Sequence, residues 1–220
     1  MIICIPTFLL SGDFFNKKSC YRKFIFHIII LCLYYMKEGV LMKKNNTIWH
    51  NIDTKRVTPQ DFVCVVEIPK GSRNKYELDK ETGMLILDRV LHTSTCYPAN
   101  YGFIPKTYGD DEDPLDVLIL CSESIDPMTL VRVYPIGVIK MLDNGKRDEK
   151  IIAVPFGDPY YNCYSDISEL PNHIVVEMEH FFTIYKALEN KTTVVNEKGN
   201  VDEAIEVIKD SLNSYQKTFE

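Results

Sequence analysis

From residue 61 onward the hydrophobic residues come in short runs, at 62–68, 76–78, 84–90, 117–121, 130–134, 136–141 and 151–154, separated by Gly, Pro, Asn and Asp. Short apolar runs broken this closely by turn residues read as strands and leave no room for the helical crossovers of a βαβ array. The expectation is therefore a sheet closed into a barrel. Beyond residue 170 the period changes. Ile174, Val175, Met178, Phe181, Phe182, Tyr185 and Leu188 recur at steps of three and four within 170–190, and Ala204, Ile205, Ile208, Leu212 and Tyr215 do so within about 202–215. Each set falls on one face of a helix. Two helices packed against the barrel make the predicted fold class α+β.

The 220 residues, with 45% hydrophobic and 25% charged content, suit one domain with a core. A formal net charge of −6 argues against a broad nucleic-acid-binding face, because backbone affinity needs clustered Lys and Arg. Any anion this chain binds must be met by metals or by a local basic pocket. The seven cysteines are odd in number, widely spread and form no C-x-x-C pair, so neither a zinc knuckle nor a disulfide framework is suggested and a reducing cytoplasm fits best.

Residues 1–41 differ from the rest. Lys17, Lys18, Arg22 and Lys23 precede an apolar run at 24–36 that only His27 interrupts. As a helix that run would reach roughly 20 Å, short of the ~30 Å core of a bilayer, and Lys37-Glu38 stands where a signal peptide needs small residues. No membrane partner is expected. The reading taken is that translation starts at Met42, that 1–41 is an N-terminal extension and that 42–220 is a single domain; a targeting or membrane-surface segment is the next reading.

The chemistry concentrates in Asp110-Asp111-Glu112-Asp113-Pro114-Leu115-Asp116, five carboxylates in seven residues, directly before an apolar strand. Taken alone, such a run is a solvated acidic loop. Its place at a strand edge favours metal binding instead: Pro114 biases Asp113 to an extended conformation, so Asp111 and Asp113 can project to one side with Asp116 turned towards them. All-oxygen donors suit Mg²⁺ or Mn²⁺ rather than zinc. A second acidic set, Asp143, Asp148 and Glu149, flanks the turn signal Asn144-Gly145 and reads as a hairpin tip that also presents Lys150. Lys75, Arg89 and the pair Tyr185-Lys186 on the first helix add positive charge. Carboxylates, metals and a few cations together would hold a small, highly charged anion such as phosphate or pyrophosphate. Nucleotide-binding Gly-rich loops, H-E-x-x-H and G-x-S-x-G are all absent from the sequence.

The stretches Val65-Val66-Glu67-Ile68-Pro69-Lys70-Gly71-Ser72-Arg73-Asn74-Lys75-Tyr76-Glu77, Asp88-Arg89, Tyr97-Pro98-Ala99-Asn100-Tyr101-Gly102-Phe103-Ile104-Pro105 and His180-Phe181-Phe182-Thr183-Ile184-Tyr185-Lys186, with the acidic sets between them, resemble the soluble family I inorganic pyrophosphatases over about residues 60–212. The resemblance implies an OB-like five-stranded β-barrel with two helices against it, and hydrolysis of pyrophosphate in a cavity at the barrel mouth with Mg²⁺ as cofactor and Mn²⁺ as the alternative. It further implies that Asp111, Asp116 and Asp148 share one metal, that Asp116 helps hold a second, and that Asp143 with Asp148 holds a third. Glu67 and Glu77 would support metals directly or through water, and Asp113 would be the general base. Lys75, Arg89, Tyr101, Lys150, Tyr185 and Lys186 would bind the phosphoryl groups, with Tyr97 a nearby wall residue. A homo-oligomer, a hexamer, is implied as well. Glu112 departs from the pattern, which usually carries Gly, Ser, Asn or Asp there. Two rival readings, a non-catalytic OB-fold that binds nucleic acid and a phosphatase acting on organic esters, are separable by metal-dependent turnover and by substrate comparison.

Overall fold

The structure is a computed structural model that describes residues 47–143, 145–189 and 193–220; the apolar run 24–36 and the expected start at Met42 lie outside those residues. Strand β1 (Phe62–Ile68) pairs with β4 (Asn100–Phe103) on one side and with β6 (Leu130–Asp143) on the other. Next to β4 lies β5 (Asp116–Ile119), which runs parallel to β8 (Lys150–Pro155), and β8 returns antiparallel to β6. Five strands thus close into a ring, the OB-like closed sheet that the sequence led us to expect. The strands β7 (Lys146–Arg147) and β9 (Thr193–Gly199) extend the sheet beside β6, while β2 (Asn74–Leu78) and β3 (Leu85–Val90) make a separate two-stranded ribbon. The helices are α1 (Ile48–Asn51), α2 (Asn172–Ile184) and α3 (Val201–Phe219).

Alternation along β8 shows how the ring is filled. Ile151 and Ala153 join a core with Phe62, Cys64, Val117, Ile119, Val133 and, from α3, Ala204 and Ile208. Ile152 and Val154 point the other way, into a core with Leu118, Ile136, Met141 and the α2 residues Val175, Met178, Phe181 and Phe182. Both faces are covered, so β1 and β8 are buried along their whole length and, apart from Glu67 and Lys150, their sequences are apolar without alternation. A capping box opens α3: the Asn200 side chain accepts from the Glu203 N–H at 3.1 Å and Glu203 accepts from the Asn200 N–H at 2.9 Å.

Four departures from the expected elements have physical causes. Residues 130–134 and 136–141 are one strand, because Pro135 sits where the β6–β8 register shifts and no ladder N–H is required of it. Strand β4 escaped notice because Asn100 and Gly102 are turn-type residues within four positions. Strand β9 escaped because it is a mostly exposed edge with few apolar residues, pairing only with β6. Helix α2 ends at Ile184 with Tyr185 as its cap, so Tyr185 and Lys186 follow the helix rather than sit on it.

Gly102 is fixed by contact. A Cβ there would lie 1.8 Å from the Val65 carbonyl oxygen, inside the β1–β4 pairing. Gly102→Ala is expected to destabilise the fold by at least about 3 kcal/mol, read as a drop in the urea midpoint, whereas Gly157→Ala, with open space around it, should leave that midpoint in place.

Candidate active site

Register places the charged residues at one end of the ring. The parallel pairing of β5 and β8 sets Asp116 opposite Lys150, the first residue of each strand, and antiparallel β4 sets Phe103 opposite Asp116. On β1, Val66 faces Gly102 and Ile68 faces Tyr101, which leaves Glu67 as the extra residue of a bulge. Bulges re-aim a side chain; the Glu67 carboxylate accepts from the Leu78 N–H of β2 at 2.7 Å. The long β6 ends at Asp143, which pairs with Lys146 across the expected hairpin, and the Asp148 N–H donates back to the Met141 carbonyl at 3.0 Å.

These elements enclose a cavity of about 330 Å³. Glu67, Glu77, Asp111, Asp113, Asp116, Asp143 and Asp148 line it together with Lys75, Lys80, Lys150 and Lys186. Lys150, whose side chain is 3% exposed, is shared between Asp116 and Asp148 and lies 5.9 Å from the Tyr101 ring centroid. Lys186 reaches Asp143 at 2.9 Å, and Lys75 pairs with Glu77 and lies 3.5 Å from Asp88.

Seven carboxylates against four lysines leave three negative charges in excess. Burial, and that excess after it, raises the affinity of particular acids for protons. Burial and then the Asp116 carboxylate push Glu67 up to about 8, against the Leu78 hydrogen bond that opposes the shift. Burial, followed by Asp116, Asp148 and Asp113, pushes Asp111 up to about 6. Burial works against the Lys150 ammonium, but Asp116 and Asp148 outweigh it and hold its pKa well above the ordinary value. Burial also keeps Tyr101 and Tyr185 protonated well above their ordinary range. Among the described residues, no three His, Cys or carboxylate side chains converge on one point at coordinating distance, since lysines stand between them. Donor type and charge nevertheless fit hard divalent cations: every candidate ligand is a carboxylate oxygen, and when all are ionised they outnumber the lysines by three.

Of the residues singled out from sequence, Glu67, Lys75, Glu77, Tyr101, Asp111, Asp113, Asp116, Asp143, Asp148, Lys150, Tyr185 and Lys186 all line the cavity. Arg89 does not. It lies beside Lys75 across the β2–β3 ribbon, with Nε donating to Glu189 at 2.9 Å and Nη1 pairing with Asp88; among the described residues its buried Nη2 has no hydrogen-bond partner. Tyr97 is buried behind the wall, with ring centroids 5.2 Å from Tyr101 and 4.8 Å from Phe181. The sequence reading missed Trp49 and Lys80, which also line the cavity. Lys80 carried no signal beyond its charge, and Trp49 arrives from α1, far away along the chain. Glu112, flagged for its departure from the family pattern, adopts φ 72°, the left-handed region where Gly and Asn fit without strain.

The sequence model for inorganic pyrophosphatase matches residues 64–216 of this chain. Soluble inorganic pyrophosphatase 2 of Chlamydomonas reinhardtii is 50% identical over 171 residues, covering 78% of this chain and 89% of the relative. A soluble inorganic pyrophosphatase of Oryza sativa subsp. japonica is 48% identical over 167 residues, 76% of this chain and 78% of the relative. Among solved structures, the inorganic pyrophosphatase from the pathogenic bacterium Helicobacter pylori superposes with a TM-score of 0.72 at 39% identity, covering 76% of this chain and 99% of that one.

Two outcomes follow from the geometry. In metal-free protein Glu67 is protonated when folded and ionised when unfolded between its ordinary 4.5 and about 8, so the folded state binds the extra proton and stability falls as pH rises through that window. Thermal midpoints in EDTA should decline from pH 5 to 8.5 in the wild type and more shallowly in Glu67→Gln. Glu112→Asn should add about 1 kcal/mol by relieving the left-handed backbone, seen as a higher urea midpoint.

Proposed function

The chain belongs to the inorganic pyrophosphatase family, and on that ground we propose that it hydrolyses pyrophosphate to two orthophosphates with Mg²⁺, or Mn²⁺ in its place, in the cavity at the end of the strand ring. Family membership makes it a hydrolase of the phosphoanhydride bond. The observation that carries the finer reading is the gathering of seven carboxylates and four lysines around one cavity of about 330 Å³. Pyrophosphate is itself an anion. A space with excess negative charge would repel it, so cations must accompany it there.

The residues to hold them are Asp111, Asp116, Asp143 and Asp148, with Glu67 and Glu77 in support; bound cations would acidify a water and neutralise phosphoryl oxygens. Asp113, at the open side of the cavity, accepts the proton of the attacking water. The water oxygen bonds to one phosphorus while the bridging oxygen leaves with the electron pair of the broken bond. Lys75, Lys150 and Lys186 hold phosphoryl oxygens, and the protonated hydroxyls of Tyr101 and Tyr185 donate to them. Arg89, a phosphoryl ligand by the family resemblance, stands on the adjoining ribbon outside the cavity lining and would act only once its guanidinium turned in. The same reading treats 42–220 as one catalytic domain and puts the enzyme in the cytoplasm as a homo-oligomer, hexameric by family resemblance. Among the described residues no helix is long and apolar enough to cross a membrane.

Phosphate release from pyrophosphate should require Mg²⁺ and fall at least about a hundredfold in Asp113→Asn and in Asp116→Asn, with p-nitrophenyl phosphate turned over far more slowly. Release that persists in EDTA, or survives both substitutions, would move the chemistry away from this cavity.

A further inference from the structure

Lys80 lies in the turn between β2 and β3, and hydrogen bonds to Asp79 close that turn. The Asp79 carboxylate accepts from the Glu81 N–H at 3.0 Å and the Thr82 hydroxyl at 2.6 Å, and the Gly83 N–H donates to the Asp79 carbonyl at 2.8 Å. From this support the Lys80 ammonium crosses to the acidic loop. It forms an ion pair with Asp113, donates to the Glu112 carbonyl at 3.4 Å, and stands 5.4 Å over the Trp49 ring.

Trp49 is a fixed platform. The residue is 3% exposed, and its indole N–H donates to the Thr107 carbonyl at 2.9 Å. The Thr107 hydroxyl closes the base of the same acidic loop, accepting from the Leu115 N–H at 2.8 Å and donating to the Ile104 carbonyl at 2.5 Å. The Asp113 backbone is tied only within its loop, its N–H to the Asp111 carboxylate at 3.1 Å and its carbonyl to the Gly109 N–H at 2.8 Å. Among the described residues, Lys80 alone holds the Asp113 side chain from outside that loop. An ion pair this exposed, with side chains 48% and 52% accessible, contributes little to stability. What it restricts is direction.

We propose that Lys80 is a positioning residue: resting on Trp49, its ammonium fixes the orientation of the Asp113 carboxylate at the open side of the cavity. This rests on the reading of Asp113 as the proton acceptor. A base turned away from its water loses rate while substrate affinity, set by the lysines deeper in the cavity, is kept.

The test is a double-mutant cycle on the full chain with saturating Mg²⁺, using Lys80→Ala, Lys80→Arg, Asp113→Asn and the Lys80→Ala/Asp113→Asn pair. Lys80→Ala should lower kcat about tenfold with KM for pyrophosphate and the thermal midpoint retained. Lys80→Arg should recover most of the loss, and Lys80→Ala should cost nothing further in the Asp113→Asn background. A raised KM with full kcat would make Lys80 a substrate ligand and overturn the positioning role. So would equal losses in both backgrounds, or an unchanged Lys80→Ala enzyme beside a collapsed Asp113→Asn. Asp113→Asn that keeps its kcat removes the proton-acceptor reading itself, and the role of Lys80 with it.

Discussion

A buried ammonium between two carboxylates organises this structure. Lys150 is nearly inaccessible and lies between Asp116 and Asp148 because parallel β5 and β8 are in register at their first residues. Removing one partner from such a buried group leaves a charge uncompensated, at a cost of about 3–5 kcal/mol. The arrangement therefore constrains three segments together: the acidic loop that leads into β5, the hairpin that leads into β8, and the strand pair between them. Closure of the ring through β6 then brings Asp143 and, on β1, the bulged Glu67 to the same end.

The site is held by opposition rather than by neutrality. Its lysines are saturated by carboxylates, yet the carboxylates outnumber them, and the surplus shows at buried Glu67 and at half-buried Asp111. Protons fill part of the deficit in metal-free protein. On the proposed reading, a highly charged anionic substrate enters such a field only with cations beside it. The acidic loop that carries Asp113, the proposed proton acceptor, is held from outside the buried cluster by Lys80 on Trp49 and, at its first acid, by Arg147, whose Nε donates to Asp110 at 2.7 Å.

Much of this was legible in the chain. Continuous apolar runs gave β1, β5 and β8 because both faces of those strands are covered, and the periodicity at 174–182 gave α2 because one face is buried. The carboxylates were legible as a type of chemistry, since so many acids beside an apolar strand need cations. Strands β4 and β9 were not, because a strand made of Asn, Tyr, Gly and Phe, or a polar edge strand, is specified by its neighbours and not by its own composition.

The sequence by itself determined the closed-sheet class, the two long helices, the donor chemistry and, through the order of its motifs, the family. Those properties depend on local periodicity and residue type, which are written along the chain. Tertiary structure alone decided that Lys150 lies between Asp116 and Asp148, that Glu67 is the extra residue of a bulge, that Arg89 stands outside the cavity lining, and that Trp49 and Lys80 belong to it. These depend on register and on which turns meet at the end of the ring. Most such contacts join residues tens of positions apart, such as Lys150 with Asp116, and only the closed sheet specifies which of them meet.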